Sequence, residues 1–150
     1  MKMYVRFGVM IAVSTLIMYG LMFLNVFQFN HIYNSQTRLY MALIMGSAMA
    51  IVMLLFMWKM YTKRIVNALI LGGSIVLFTL SLWLVRSQAT VDDVAWMKAM
   101  IPHHSIAILT SERANITDPR VRKLADGIIE SQRKEIAEMK KRIEEMENKE

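Results

Sequence analysis

The sequence predicts an all-α protein in which three transmembrane helices precede a soluble helical hairpin. Of its 150 residues, 55% are hydrophobic, and most of the charged residues fall in 86–150. The hydrophobic residues concentrate in three long runs, at about 7–27, 39–60 and 65–85. Each run approaches or exceeds the ~20 residues with which a helix crosses a bilayer. We therefore expect a transmembrane region at 1–86 and a separate helical domain at 87–150.

The first run is expected to remain in the membrane. It exceeds the roughly 7–15 apolar residues of a signal peptide, and no small-x-small cleavage site follows it. The N-terminus and the second connection carry most of the cations near helix ends, namely Lys2, Arg6, Lys59, Lys63 and Arg64. The first connection offers Arg38, and Arg86 argues weakly for the opposite orientation. The positive-inside rule then predicts an inner (plasma) membrane protein with a cytoplasmic N-terminus and an extracytoplasmic, periplasmic C-terminal domain.

The net charge of +6 does not indicate nucleic-acid binding. Part of the excess flanks the membrane helices, where it sets topology and meets anionic lipid. In residues 86–150 the two signs are interspersed, and no motif typical of RNA or DNA binding is present. Membrane lipid is the expected partner, and nucleic acid is not.

Start signals for two helices divide the C-terminal domain. Thr90 followed by Asp93 resembles a capping box, which predicts a helix over about 91–114. A short turn follows, and Asp118 then supplies an N-cap with Pro119 at the first helical position. We expect this second helix to reach about Met146.

The second helix carries an apolar seam at alternating three- and four-residue spacing: Ile129, Gln132, Ile136, Met139, Ile143 and Met146. Upstream, the stripe continues through Val121, Leu124 and Ile128. A hairpin of roughly 60 residues buries too little surface to be stable alone. Two hairpins packed as a four-helix bundle would bury both seams, so we expect a homodimer or a higher homo-oligomer.

Methionine and histidine cluster in the first helix of the hairpin. At ~100° per residue, Met97, Met100 and His104 share one narrow sector, with Asp93 one turn earlier on the same side. Pro102 removes a backbone hydrogen bond and bends the helix, which could bring His103 toward the group. Met139, on the seam of the second helix, can face these residues.

Thioether and imidazole form a soft to borderline ligand set, and the chain has no cysteine. Such a set favours Cu(I) and Ag(I), while imidazole also admits Cu(II) and Zn(II). The alternative is structural: methionine on an apolar stripe usually packs in the core, and a buried histidine is usually a satisfied polar group. Adjacent histidines beside two methionines weaken that alternative without removing it.

Three separated motifs resemble the domain-of-unknown-function 305 family over about residues 90–145. They are Asp93-x-x-Trp96-x-x-x-Met100-Ile-Pro-His103-His104-x-x-Ala107-Ile108, Asp118-Pro119-x-Val121-x-x-Leu124-Ala125 and Gln132-x-x-Glu135-Ile136-x-x-Met139. The resemblance implies a ferritin-like, helical and usually extracytoplasmic domain, with some relatives associated with copper or silver binding and tolerance. The membrane portion is similar to that of membrane-anchored members.

By motif position, the resemblance implies Met100, His103, His104 and Met139 as metal ligands. It also implies Asp93 and Gln132 as residues that hold those ligands. Relatives often place a methionine two positions after the Ala-Ile pair, where this chain has Thr110. The site here is therefore expected to have one fewer sulfur ligand.

The second transmembrane segment repeats methionine every four residues, at Met41, Met45, Met49, Met53 and Met57. A path for copper is one interpretation, but four residues advance ~400°, so the side chains drift around a straight helix. Packing is the preferred interpretation, because Ala42, Gly46 and Ala50 form a small-residue stripe suited to helix contact. His31, in the first loop, is a candidate for a secondary metal site with Met41.

The predicted function is a membrane-anchored extracytoplasmic protein that captures or buffers copper or silver, in metal tolerance or homeostasis. A copper donor or acceptor protein is an expected partner. The alternative is an oligomeric membrane scaffold with structural histidines. A catalytic role is not expected, because neither His103 nor His104 has the preceding Glu of a di-iron Glu-x-x-His motif. No nucleophile–base pair or phosphate loop is evident either.

Overall fold

The computed structural model describes residues 2–148, which form five α-helices and no strand. The helices are α1 (Lys2–Leu21), α2 (Gln36–Phe56), α3 (Arg64–Ser87), α4 (Asp93–Arg113) and α5 (Pro119–Glu147). A single 3-10 turn, Phe29–His31, lies between α1 and α2. The all-α prediction is therefore confirmed.

Helices α1, α2 and α3 are each long and apolar enough to cross a membrane, with mean hydropathies of 1.6, 2.3 and 2.3. The three predicted apolar helices are thus confirmed in length and composition. Their bounds differ from the prediction: α1 ends at Leu21 rather than near residue 27, and α2 ends at Phe56 rather than near residue 60.

The chain forms two compact units. One contains α1 together with Thr37–Thr90, and the other contains Phe23–Gln36 together with the chain from Val91 onward. The boundary between the units falls at Thr90/Val91, near the predicted division at 86/87, and Phe23–Gln36 lies in the second unit. This segment belongs with the hairpin because Phe27 and His31 have their hydrogen-bond partner there.

In the unit of α1–α3, a buried cluster of Phe7, Ala50, Leu54 and Tyr61 joins residues of α1 and α2. Asn67 of α3 is 1% exposed and donates from Nδ2 to the Tyr61 carbonyl at 2.7 Å. The hydroxyl of Tyr4 donates to Asn67 Oδ1 at 2.9 Å. A buried amide thus satisfies its hydrogen bonds while connecting α3 to α1, as a polar group in an apolar environment requires.

The predicted small-residue stripe on α2 is a packing face, since Ala42, Gly46 and Ala50 are all buried. The methionines of α2 do not share that face. Met41 and Met45 are exposed, whereas Met53, and Met57 just beyond the end of α2, pack against the Phe7 cluster. This distribution is what the ~40° drift of a four-residue spacing produces.

Gly46→Ala is expected to destabilise the unit of α1–α3 by about 1 kcal/mol. A Cβ at Gly46 would overlap with the Thr15 side chain, whose hydroxyl already donates to the Ile11 carbonyl at 2.8 Å. Gly73→Ala is the matched control, because a Cβ there meets nothing within 4 Å. Unfolding in detergent micelles, followed by circular dichroism, measures both. Equal effects of the two substitutions would show that α1 does not approach α2 closely at Gly46.

The second unit is built on the antiparallel packing of α4 against α5. Lys98 near the start of α4 pairs with Glu147 at the end of α5, with 2.5 Å between Nζ and Oε1. Glu112 near the end of α4 pairs with Arg133. The two helices share a buried cluster of Met97, Ile101, Ile108, Ile136, Met139 and Ile143. The predicted αα-hairpin is therefore confirmed.

The N-cap of α4 was predicted wrongly. Asp92, not Thr90, caps the helix, and its side chain accepts from the Ala95 amide at 2.7 Å. The Thr90 hydroxyl instead forms a 2.8 Å hydrogen bond with the hydroxyl of Tyr40. For α5 the prediction is confirmed: Asp118 accepts from the Arg120 amide at 2.8 Å, and Pro119 begins the helix.

The seam of α5 is buried in its C-terminal half, at Ile136, Met139 and Ile143. At its end, Met146 is 39% exposed. The upstream stripe contributes nothing to the core of the hairpin, because Val121, Leu124 and Ile128 are 49%, 65% and 37% exposed. The α5 helix therefore carries one covered apolar face and one uncovered apolar stripe.

Candidate metal centre

Three methionines predicted as metal ligands lie in one cluster between α4 and α5. Met97 and Met139 are 5% and 7% exposed and belong to the buried core of the hairpin. Met100 is half-buried and packs against the same core. The tertiary structure thus brings sulfur atoms from the two helices to a common interface.

The register of the two helices places Met100 and Met139 at the same level. Nδ1 of His104 lies 3.0 Å from Oε2 of Glu135. Met100 precedes His104 by one helical turn, and Met139 follows Glu135 by one turn. Because the helices are antiparallel, both methionines lie ~6 Å along the axis from the His104–Glu135 pair.

His104 is a partly buried histidine of α4 that lies next to Glu135 of α5. Its side chain is 18% exposed, and Nδ1 is buried without a hydrogen bond. The Glu135 carboxylate is close to Nδ1 but lies at an angle that does not make a hydrogen bond. Burial lowers the pKa of His104, which the Glu135 carboxylate partly opposes and the neighbouring His103 reinforces. A neutral imidazole is the form that binds metals.

Glu135 belongs to this site, although sequence reasoning did not single it out. Its two carboxylate oxygens accept from Ser131 Oγ at 2.8 Å and from Gln132 Nε2 at 3.3 Å. Gln132, predicted to hold a ligand, therefore holds Glu135. The Gln-x-x-Glu spacing was a usable signal, because residues three apart share one helix face.

The other predicted site residues lie outside the buried cluster. His103 is exposed, with its ring centroid 6.1 Å from that of His104. Asp93 is exposed in the first turn of α4. Pro102 is fully buried within α4, where it leaves the Lys98 carbonyl without its helical donor. Within residues 2–148, no three His, Asp or Glu side chains form a group that could hold a metal ion.

The Phe23–Gln36 segment is fastened to α4 by Ser105, which is fully buried. The hydroxyl of Ser105 accepts from the Phe27 amide at 2.7 Å and shares a 2.9 Å hydrogen bond with His31 Nδ1. His31 is itself only 6% exposed. The loop histidine therefore has a structural partner, and its pairing with Met41 stays a prediction, since the two residues belong to different units.

Acidification is expected to loosen this segment. Burial, with a smaller contribution from Lys140, lowers the pKa of His31 below its ordinary 6.5. A released His31 binds a proton more readily than the buried one, so its stabilisation is present above pH 6.5 and is lost as the pH falls below it. Amide protection factors at Phe27 should accordingly drop between pH 7.5 and 5.5. His31→Asn, which does not titrate, should lessen the drop, and an equal drop in that variant would contradict the assignment to His31.

The donor set of the cluster fits a soft metal ion. Met100 lies one helical turn from His104, and Met139 lies one turn from Glu135; a set of thioether and imidazole donors suits Cu(I) and Ag(I). The Glu135 carboxylate lies 3.0 Å from His104 Nδ1, and carboxylates at such positions hold metal-binding histidines.

Comparisons with known proteins agree with the predicted resemblance. Residues 84–149 match the family model described as Domain of unknown function (DUF305). The chain is 39% identical over 108 residues to the protein named Uncharacterized protein L153 of Acanthamoeba polyphaga mimivirus, covering 71% of this chain and 69% of that protein. No solved structure matches. The family match spans both helices of the hairpin, and the chain therefore belongs to the DUF305 family.

Proposed function

We propose that this protein is a membrane-anchored, extracytoplasmic copper- or silver-binding protein that captures or buffers the ion in metal tolerance or homeostasis. One observation carries the proposal: the buried Nδ1 of His104 lies 3.0 Å from Glu135, with Met100 one turn away on α4 and Met139 one turn from Glu135 on α5. An imidazole and two thioether sulfurs thus lie at the α4–α5 interface, and this is a donor set that soft ions accept.

Met100, Met139 and His104 would hold the ion, and Met97 and His103 are the nearest further donors. Cu(I) and Ag(I) suit this set because both are soft ions that accept thioether sulfur. Cu(II) and Zn(II) are less suited, since they depend on imidazole and carboxylate. The protein carries out no reaction in this proposal. It takes the ion from a copper donor protein or passes it to an acceptor protein.

The experiment is a titration of the full-length protein in detergent with Cu(I) and with Ag(I), under reducing conditions and against a competing chelator. The full chain is required because Phe23–Gln36 packs with the hairpin. We expect the protein to compete for both ions and the double variant His103→Gln/His104→Gln to lose this ability. A helical, folded protein that does not compete for either ion would exclude the proposal.

The proposed orientation places the N-terminus in the cytoplasm and the hairpin outside the inner membrane. The distribution of lysine and arginine around α1–α3 supports it. Because the chain has no cysteine, single cysteines can report topology. A cysteine at Asn115 should react with an impermeant maleimide in spheroplasts, whereas one at Thr62 should not. The reverse pattern would place the metal centre in the cytoplasm.

An oligomeric membrane scaffold is the second candidate, and the exposed stripe of Val121, Leu124 and Ile128 favours it. Covering this stripe with a second hairpin would produce the homodimeric, ferritin-like four-helix bundle. Leu124→Glu should then reduce the mass measured by light scattering in detergent, and an unchanged mass would place the stripe outside an oligomer interface. If the protein is a scaffold alone, His103→Gln/His104→Gln should change only its stability.

A further inference from the structure

The hairpin unit contains a cleft that none of its methionines lines. Its volume is about 440 Å³, which falls within the ~300–1,000 Å³ typical of small-molecule sites. It lies between the Phe23–Gln36 segment and the two helices. Its apolar wall includes Phe27, Ile108 and Ile136, and its polar rim includes His31, Arg133 and Lys140.

The cationic groups of this cleft are unequally neutralised. Arg133 forms an ion pair with Glu112, and its guanidinium lies 5.9 Å from the centre of the Phe27 ring. Lys140 is half-buried, and its ammonium forms no ion pair with a carboxylate of residues 2–148. The next residue, Lys141, is 76% exposed and pairs with Glu145 at 3.7 Å. Lys140 is thus a partly desolvated cation at the edge of an apolar wall.

Such a cation is costly unless an anion accompanies it. Lys140 is half-buried at the rim of the cleft, and His31 beside it is 6% exposed. The positive charge of Lys140 therefore lies in a place where water is partly excluded. An anion with an apolar body would neutralise Lys140 and cover the Phe27 ring at the same time.

We propose that this cleft binds a small amphipathic anion, a carboxylate or phosphate group on a short apolar chain. The anionic group lies at Lys140 and the apolar chain against Phe27, Ile108 and Ile136. A free short-chain acid and an anionic lipid both supply this chemistry. The proposal does not depend on copper binding at the methionine cluster, because none of Met97, Met100, His103, His104 and Met139 lines the cleft.

The test is calorimetric titration of octanoate into the full-length protein in phosphatidylcholine nanodiscs, in metal-free buffer, with empty nanodiscs subtracted. We expect Lys140→Gln to weaken octanoate binding by about tenfold or more, as loss of a charge-assisted hydrogen bond does. Lys141→Gln removes the same charge from the adjacent exposed position and should leave the affinity unchanged. Ala137→Phe narrows the cleft from an exposed position and should also weaken binding.

Three results would overturn the proposal: no octanoate binding by the folded protein, equal losses in Lys140→Gln and Lys141→Gln, or binding of 1-octanol as tight as that of octanoate. Phosphatidylglycerol in the nanodisc distinguishes the two sources of anion. If it competes with octanoate in the wild type, the site takes an anionic lipid. If octanoate binds equally in both nanodiscs, the site takes a free acid. Since no metal is present, failure here leaves copper binding untouched.

Discussion

The double variant Met100→Leu/Met139→Leu is expected to bind Cu(I) at least about 100-fold more weakly than the wild type. Loss of a residue that only hydrogen-bonds a metal ligand already costs ~10–100-fold in metal affinity. These substitutions remove both sulfur ligands proposed to face His104. Leucine matches methionine closely in volume, so the packing of α4 against α5 should change by less than about 1.5 kcal/mol. Chelator competition under reducing conditions measures the affinity.

The control for this experiment is Met146→Leu. Met146 lies on the same helix but is 39% exposed and outside the buried cluster, so its loss should not alter Cu(I) affinity. Thermal unfolding of each variant separates lost ligands from lost packing. If the double variant keeps wild-type affinity while the histidine variant loses it, the imidazoles alone bind the ion and the methionines are core residues.

Ser105→Ala is expected to release the Phe23–Gln36 segment from the hairpin. The substitution leaves two groups without their partner, the partly buried Phe27 amide and the buried His31 imidazole. Each orphaned group costs about 1–3 kcal/mol, which outweighs the small change in volume. Hydrogen exchange of the segment, measured on the full-length protein, should become faster by at least about tenfold.

Ser111→Ala is the matched control in the same helix. The backbone carbonyl of Ser111 accepts from Arg122, and alanine keeps that carbonyl. Exchange in Phe23–Gln36 should therefore be unchanged in Ser111→Ala. If exchange in Ser105→Ala is as slow as in the wild type, apolar contacts of Phe27 hold the segment and the hydroxyl contributes little. Release of the segment should also abolish octanoate binding, because Phe27 and His31 line one side of the cleft.

Much of the helical architecture could be predicted because its signals are local. The runs of apolar residues suffice for α1, α2 and α3, and Asp118-Pro119 marks the start of α5 in two adjacent residues. The N-cap of α4 shows where local signals compete. Thr90 and Asp92 are both acceptable caps. Asp92 caps the helix, while the Thr90 hydroxyl is hydrogen-bonded to Tyr40. Tyr40 is 50 residues away in the chain, so no local pattern contains this contact.

The candidate metal centre shows the same division. Helical periodicity was enough to place Met97, Met100 and His104 on one face, and the seam of α5 was enough to turn Met139 inward. Periodicity could not show that His103 is exposed while His104 is half-buried, since the two are adjacent and the packing of α5 decides between them. Nor could it place Glu135 beside His104, because that contact depends on the register of two separate helices.

The sequence by itself determined the helices, the N-cap of α5 and the composition of the methionine and histidine face. It could do so because these properties depend on residues within one or two turns of each other. Only the tertiary structure decided that Phe23–Gln36 belongs to the hairpin and that Ser105 fastens it. His31 and Ser105 are 74 residues apart, and their contact stabilises the fold only after the chain has brought them together and excluded water from both.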